Sequence, residues 1–319
     1  MLNASYFEIA QEVNKPLNTV VLVSGYNLLA AGCSGPFVCA LSRKYGKRPV
    51  YLLSTILDII GTAIGESAVS YKYLLAARII QGFATSAFES ILVATIGDMY
   101  FVHQRGSRVA AVNFILNAAS CLSTIICGQV FSSLGLLWLF HLFQIFLVMQ
   151  FVLMFLFCPE TTYLREAEYD IDTNQAEKLE ELAQVEKVYR EKHEGHHHRL
   201  DPVPTNATIP KRSFVQELAV FTGVYHHDWI VKDFFGPFLT LLNPAACYAV
   251  ITSGLLNTWY VGTAIIISGI FSGPPWNFDS AFVGYVGAGP FVGGMLACVV
   301  TAVAGDPVIK YLGRKNKGV

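Results

Sequence analysis

Four ionisable side chains interrupt stretches of the sequence that are otherwise apolar, and these are Asp58, Glu66, Arg78 and Glu89. A charged group in an apolar environment costs several kcal/mol, so it normally faces a cavity or a partner and is a functional candidate by default. Glu89 is the first candidate, because a carboxylate at its position can hold a cation or carry a proton. The alternative for Glu89 is a packed, protonated side chain without a role in chemistry.

Arg78 and Glu66 are expected near the same level of two consecutive apolar stretches, and we predict that they pair. This pair would be a structural ion pair or part of a proton pathway. Asp58 lies deeper in its stretch and is a further candidate. The aromatic residues Trp259 and Tyr260, next to Asn257, could surround an organic cation with their ring faces, although packing or interfacial aromatics are the alternative.

No arrangement of side chains points to a metal site or to a bound cofactor. The cysteines lie mainly in or beside apolar stretches and show no spacing typical of metal ligands, which favours a packing role. The histidine run that ends at His198 sits in a Glu-rich stretch typical of a solvated loop. We therefore expect no metal, no cofactor and no enzymatic activity, since no catalytic constellation is present.

The composition indicates an integral membrane protein. Of the 319 residues, 53% are hydrophobic and only 14% are charged, with a net charge of -1 and a mean hydropathy of +0.46. A soluble domain carries about a quarter charged residues. A soluble enzyme, a disordered chain and a nucleic-acid binder are all disfavoured, because they need a polar surface or a strongly basic balance.

Charge-free stretches long enough to cross a bilayer predict an all-α polytopic protein. A spanning helix needs roughly 20 predominantly apolar residues. Residues 109–159 contain no Asp, Glu, Lys or Arg and hold two spans. The predicted spans are 17–41, 50–70, 73–97, 109–132, 136–157, 243–270 and 281–304.

The basic residues outside the polar stretch 158–237 predict the topology. They cluster after the first, third and last predicted spans, as Arg43, Lys44, Lys47, Arg48, Arg105, Arg108, Lys310, Arg314, Lys315 and Lys317. By the positive-inside rule these loops are cytosolic and residues 1–16 are outside. Asn3 then begins a usable glycosylation sequon, whereas the sequon at Asn206 would be cytosolic and idle.

The polar block divides the chain into three predicted parts. Residues 158–237 hold 15 of the 23 acidic and 9 of the 22 basic residues, and form a cytosolic loop that joins two membrane halves. The halves are 1–157 and 238–319. Within the block, residues 229–242 are aromatic and apolar, which suits a segment along the inner membrane surface.

Residues 41–49 and residues 74–84 carry two sequence runs that resemble signatures of the major facilitator superfamily. Residues 41–49 (LSRKYGKRP) resemble the basic loop between its second and third spans, and a second basic turn at Gly313, Arg314 and Lys315 occupies the corresponding place in a second half. Residues 74–84 (LLAARIIQGFA) resemble its fourth-span motif, which contains Arg78, Gln81 and Gly82.

Shorter runs are similar to the fungal drug:proton antiporter-like branch, namely 103–108, 159–165 and 316–319. The resemblance implies about seven of the twelve helices of the family fold, with one span missing before residue 1 and four after residue 319. A predicted outer N-terminus without a signal peptide, together with the odd span count, also suggests a missing first span.

The sequence departs from the family pattern at two places that bear on mechanism. The loop signature normally has Asp where Arg43 stands and Gly where Cys39 stands, and the resemblance implies that this Asp belongs to a charge relay that stabilises the outward-facing state. The gating residues that match are Lys44, Gly46, Lys47 and Arg48. The antiporter signature of the fifth span is absent from residues 110–131, so antiport and symport both stay open.

The resemblance implies a proton-coupled transporter of small organic solutes, of the drug, organic-cation or polyamine type, that works by alternating access. We expect it to be a monomer in a lipid bilayer, in the plasma membrane rather than the vacuole, with protons and a small-molecule substrate as partners and no nucleic acid. The alternatives are a seven-span receptor, a membrane enzyme and a fragment of a transporter that transports nothing.

Overall fold

The computed structural model describes residues 6, 9–10, 15–67, 70–100, 102–162, 218–221, 223–225, 230–298 and 300, and no strand occurs among them. The helices are α1 (Leu17–Tyr45), α2 (Lys47–Glu66), α3 (Tyr71–Met99), α4 (Val102–Phe157), α5 (Ile230–Thr240), α6 (Pro244–Ser272) and α7 (Ser280–Val286). The predicted all-α class is confirmed.

The helices have the length and composition of membrane spans. Among the described residues, five helices are long and apolar enough to cross a bilayer, or six if the bent pair α5 and α6 counts as one span. They fall on the predicted spans. The last of them, Ser280–Cys298, includes α7 and the helical residues that follow it.

Gly135 divides α4 into two spans. The candidate span inside α4, Arg108–Phe157, has 50 residues, about 75 Å at 1.5 Å per residue, more than twice the thickness of a bilayer core. Gly135 adopts φ 82° and ψ -179°, which no α-helix contains. Its positive φ is readily available only to glycine. The break falls between the predicted spans 109–132 and 136–157.

Helices α1, α2 and α3 pack together, and the second part of α4 packs on α2. A buried cluster at the predicted outer end includes Val20 of α1, Leu74 of α3 and Phe140 of α4. A smaller cluster near the inner end joins Val50 of α2 to Ala87 and Ile91 of α3. These contacts hold the sequence motif of α3 against two neighbouring helices.

The predicted basic loop is mostly helical. Helix α1 extends to Tyr45 and α2 begins at Lys47, so Gly46, with φ 93°, is the one residue between them. At the end of α1, the Arg43 side chain is 67% exposed and can extend toward water. At the start of α2, by contrast, Lys47 and Arg48 are buried and held by partners.

Helix α5 meets α6 at an angle of 85°. The sequence indicated a surface segment over 229–242, and a bend of this size lets α5 lie along the membrane while α6 enters it. At the other end of the described chain, α7 packs against α4, where the side chain of Gln129 donates a hydrogen bond to the Tyr285 hydroxyl.

Candidate functional site

The motif of α3 forms close contacts with α1 and α2. The side chain of Gln81 is 3% exposed and donates from Nε2 to the Thr62 hydroxyl at 2.9 Å. Gly82 faces α1, where an added Cβ would lie 2.9 Å from the Cβ of Ala30 and collide with the carbonyl of Asn27. Gln81 and Gly82 therefore serve the packing of three helices.

Arg78 is held in the same interface. Asn27 donates from Nδ2 to its carbonyl oxygen at 2.8 Å. Among the described residues, the buried guanidinium atoms Nε and Nη2 have no hydrogen-bond partner. Asp58 of α2 is close enough to interact electrostatically with this guanidinium. Because a buried charge is poorly screened, the guanidinium responds to a change in the charge of a carboxylate within this range.

Glu66 pairs with His141 of α4, and not with Arg78 as predicted from the sequence. The contact joins Glu66 Oε1 to His141 Nδ1, and the indole ring of Trp138 meets the imidazole edge-on, with 5.8 Å between ring centroids. Sequence reasoning missed His141, although it is an isolated titratable residue inside the charge-free stretch 109–159. That isolation was the available signal.

Glu89 lies on the exposed side of α3. The buried face of this helix includes Gln81, Ala87 and Ile91. Because each residue turns a helix by about 100°, Glu89 points about 200° away from both Ala87 and Ile91. Arg78 precedes Glu89 by three helical turns, so about 16 Å along the helix axis separates Glu89 from the group around Arg78.

The candidates on α6 are exposed. Asn257 lines an open cavity of about 390 Å³ between α6 and Leu28 of α1. The Tyr260 hydroxyl interacts with Cys121 of α4, and Trp259 is 75% exposed. The role of Trp259 and Tyr260 around an organic cation stays a prediction.

An acidic side chain from the polar block binds the backbone of the two basic residues that follow Gly46. Both carboxylate oxygens of Glu160 accept backbone N–H groups at the start of α2, one from Lys47 and one from Arg48, each at 3.0 Å. The backbone of Thr162 donates to the same carboxylate at 2.9 Å. A carboxylate at a helix N-terminus satisfies unpaired donors and interacts favourably with the helix dipole.

Arg48, in the first turn of α2, binds in turn to the end of α4. Arg48 is only 4% exposed. Its guanidinium donates from Nη2 to the carbonyl of Phe155 at 2.8 Å and to the carbonyl of Leu218 at 3.2 Å. Unpaired carbonyl groups at a helix C-terminus favour such a cation. The start of α2 and the end of α4 therefore stabilise each other.

Each of the other basic residues has a different partner. Lys47, which is buried, forms an ion pair through Nζ with Asp98 of α3. Lys44 lies over the Tyr45 ring, and its carbonyl accepts from the backbone of Tyr225. Arg43, which stands where the family pattern has Asp, pairs with Asp233 of α5 at 3.5 Å.

A cavity of about 440 Å³ lies beside these residues, and its walls include Cys39, Ser42, Arg43, Lys47, Ser90, Asp98, Thr162 and Tyr225. Sequence reasoning had named the basic members of this group but none of their acidic partners. Glu160 and Asp233 lie among the many acidic residues of the polar block, so the sequence did not single them out as partners. The predicted residues Asn3, Gly313, Arg314 and Lys315 lie outside the described residues.

Comparison with known proteins gives a family match along the whole chain. The sequence model of the Major Facilitator Superfamily matches residues 1–319. The lincomycin resistance protein LmrB of Bacillus subtilis is 30% identical over 152 residues, which are 47% of this chain and 32% of that protein.

Two fungal relatives match over similar lengths. The MFS antiporter QDR3 of Candida albicans is 28% identical over 157 residues, covering 48% of this chain and 22% of the relative. The efflux pump dotC of Dothistroma septosporum is 29% identical over 115 residues, covering 36% of this chain and 20% of the pump. The matched part is thus a third or less of the length of each of these curated relatives.

Proposed function

The chain belongs to the major facilitator superfamily, and we propose that it acts as a proton-coupled secondary transporter of small organic solutes, of the drug, organic-cation or polyamine type. It is an integral, multi-pass membrane protein. The relatives are named a resistance protein, an antiporter and an efflux pump, and these names support the choice of substrate class. We further propose that it works as a monomer in the plasma membrane.

The observation that carries this proposal is the exposure of Glu89 on a membrane-spanning helix. Glu89 is four residues from the middle of α3, about 6 Å along the helix axis. An ionised carboxylate at that depth is too costly to leave against lipid, so its face requires a polar cavity or a partner. A central substrate cavity satisfies this requirement, and Glu89 would bind the cationic group there.

Proton coupling is assigned to Asp58 and Arg78. The two charges interact within the packed group of α1, α2 and α3. Protonation of Asp58 would remove a negative charge that acts on the guanidinium and would weaken the electrostatic attraction between α2 and α3. A change in helix contact that depends on one proton is what alternating access needs in order to use a proton gradient.

Transport of the fluorescent cation ethidium in membrane vesicles with an imposed proton gradient tests both assignments. Wild-type protein is expected to move ethidium against its gradient. Glu89→Gln should abolish this transport, and Asp58→Asn should abolish only the part that depends on the proton gradient. Glu66→Gln is the matched control, because it makes the same chemical change at the end of α2, where the carboxylate pairs with His141.

Two results would contradict the assignments. Ethidium transport by Glu89→Gln at the wild-type rate would remove the binding role of Glu89. Equal loss in Glu66→Gln and Glu89→Gln, with both proteins monodisperse, would show that removal of any carboxylate from these helices has the same effect. Wild-type vesicles that move no ethidium, spermidine or other organic cation would overturn the substrate class.

A further inference from the structure

Some of the residues that precede α1 belong to the buried core. Tyr6 is 1% exposed and Ile9 is 0% exposed, and both pack in the buried cluster at the predicted outer end, together with Val20 of α1 and Leu74 of α3. The sequence indicated only that residues 1–16 lie outside the membrane. A buried tyrosine contributes its ring to packing, and its hydroxyl needs a hydrogen-bond partner.

The Tyr6 hydroxyl has a partner on α1, where it forms a hydrogen bond with the Ser24 hydroxyl. Asn27 lies three residues further along the same helix, about one turn away, and its amide donates to the Arg78 carbonyl at 2.8 Å. Residues at this spacing share one face of a helix. One face of α1 therefore binds both the segment before the helix and the motif of α3.

The Tyr6 hydroxyl and the Arg78 guanidinium are also close enough to interact electrostatically. Leu74, one turn before Arg78 on α3, shares the buried cluster with Tyr6, which places Tyr6 on the outer side of Arg78. Two further titratable groups among the described residues interact with the guanidinium in this way, Asp58 of α2 and Cys127 of α4. Water screens such buried interactions poorly, so each group influences where the guanidinium lies.

Hydrogen bonds do not fix the direction of this guanidinium completely. Among the described residues, two of its three nitrogens, Nε and Nη2, are buried without a hydrogen-bond partner. The Asn27 amide holds Arg78 through the backbone carbonyl and not through the side chain. The approach of Arg78 to Asp58 is therefore set largely by the polar groups around it, and Tyr6 is the one of these that lies outside the membrane-spanning helices.

We propose that Tyr6 is a positioning residue for proton coupling: its hydroxyl, held by Ser24, attracts the Arg78 guanidinium and limits the approach of that guanidinium to Asp58. A phenol that donates its proton to Ser24 presents an acceptor oxygen to the cation. This role rests on the proposed transport function, in which Asp58 takes up the proton. Without the hydroxyl, the guanidinium turns toward Asp58, and the stronger attraction between the two charges opposes protonation of the carboxylate.

A double-mutant cycle on the full chain in detergent measures the link between Tyr6 and Arg78. Tyr6→Phe removes the hydroxyl and keeps the ring, and it should lower the thermal unfolding midpoint by about 2–4 °C, in the range for one lost hydrogen bond. The same change in an Arg78→Leu background should lower the midpoint by about half as much or less, because part of the effect acts through the guanidinium. Arg78→Gln provides the background if Arg78→Leu is not monodisperse.

Tyr71→Phe is the matched control, because it makes the same chemical change at the outer end of α3, where the hydroxyl donates to the Thr19 carbonyl of α1 at 3.2 Å. Its effect on the midpoint should be the same with and without Arg78. An equal loss for Tyr6→Phe in both backgrounds would show that the hydroxyl serves only the bond to Ser24, and the positioning role would be wrong.

Ethidium transport at a fixed proton gradient and varied pH gives a readout that a loss of packing would not move. Tyr6→Phe should shift the midpoint of the pH profile to lower pH by about one unit, since Asp58 then needs a higher proton concentration to become neutral. Ser24→Ala should shift the midpoint in the same direction, and Tyr71→Phe should leave it at the wild-type value.

A pH profile that Tyr6→Phe leaves unchanged would overturn the positioning role. The thermal cycle does not require transport, so the two proposals fail separately. Coupling between Tyr6 and Arg78 in a protein that moves no ethidium would overturn the transport function alone.

Discussion

Gly82 shows how a single motif residue sets the distance between two membrane helices. Its missing side chain lets α3 approach the Asn27 carbonyl and the Ala30 side chain of α1. Without a strong hydrophobic driving force between helices in lipid, such close backbone contact contributes much of the attraction. The same approach brings the Arg78 carbonyl within reach of the Asn27 amide. Packing and chemistry thus depend on one position.

Gly82→Ala should therefore destabilise the protein. The added methyl group overlaps backbone atoms that cannot rotate away, and overpacking of this kind costs about 1–3 kcal/mol. Gly25→Ala on α1 is the control, because no described atom lies within 4 Å of an added Cβ at that position. Thermal unfolding in detergent should give a lower midpoint for Gly82→Ala alone. Equal midpoints for the two variants would contradict the packing role.

At the scale of elements, side-chain hydrogen bonds in both directions join the start of α2 to the end of α4. Glu160 accepts the first N–H groups of α2, while Arg48 of α2 donates to the carbonyl of Phe155 on α4. Each interaction satisfies groups that a helix cannot pair internally. Without these hydrogen bonds, the unpaired groups of both helix ends would need water as a partner. The two helix ends therefore depend on each other's position.

Glu160→Ala should loosen the start of α2, with a loss of about 1–2 kcal/mol in line with other N-terminal caps. Glu160→Gln retains one acceptor oxygen and should have a smaller effect. Hydrogen exchange of the Lys47 and Arg48 amides measures this locally and should accelerate in the order Gln, then Ala. Unchanged exchange in Glu160→Ala would show that these amides are protected by other groups.

The whole molecule has a predicted orientation that no contact within it establishes. The polar block and the basic residues around Gly46, after α3 and within 310–317 are all expected in the cytosol, which leaves the N-terminal residues outside. Helical packing would be the same for either orientation. The orientation is therefore decided by the distribution of basic residues between the loops on the two sides of the membrane.

Glycosylation tests this orientation. When the chain is expressed in a eukaryotic host, Asn3 should carry an N-linked glycan, seen as a gel shift that peptide N-glycosidase removes. Asn3→Gln should eliminate the shift, and Asn206→Gln should leave it unchanged, because the sequon at Asn206 is predicted on the cytosolic side. Loss of the shift only in Asn206→Gln would reverse the predicted topology.

The sequence by itself determined the membrane class, the positions of the spans and the family. These properties follow from local composition, because each segment must lose water on its own to enter a bilayer and a charge within it is costly wherever its neighbours lie. The resemblance at residues 74–84 and 41–49 was equally local, and the family match over residues 1–319 bears it out.

Only the tertiary structure decided which charges meet. Glu66 pairs with His141, Arg43 pairs with Asp233 across 190 positions in the chain, and Glu160 caps α2 across 113. Hydropathy and charge patterns specify that a side chain needs a partner but not which helix supplies it. That choice depends on which helices are neighbours and on the rotation of each about its axis, and both are set by packing contacts such as those of Gly82.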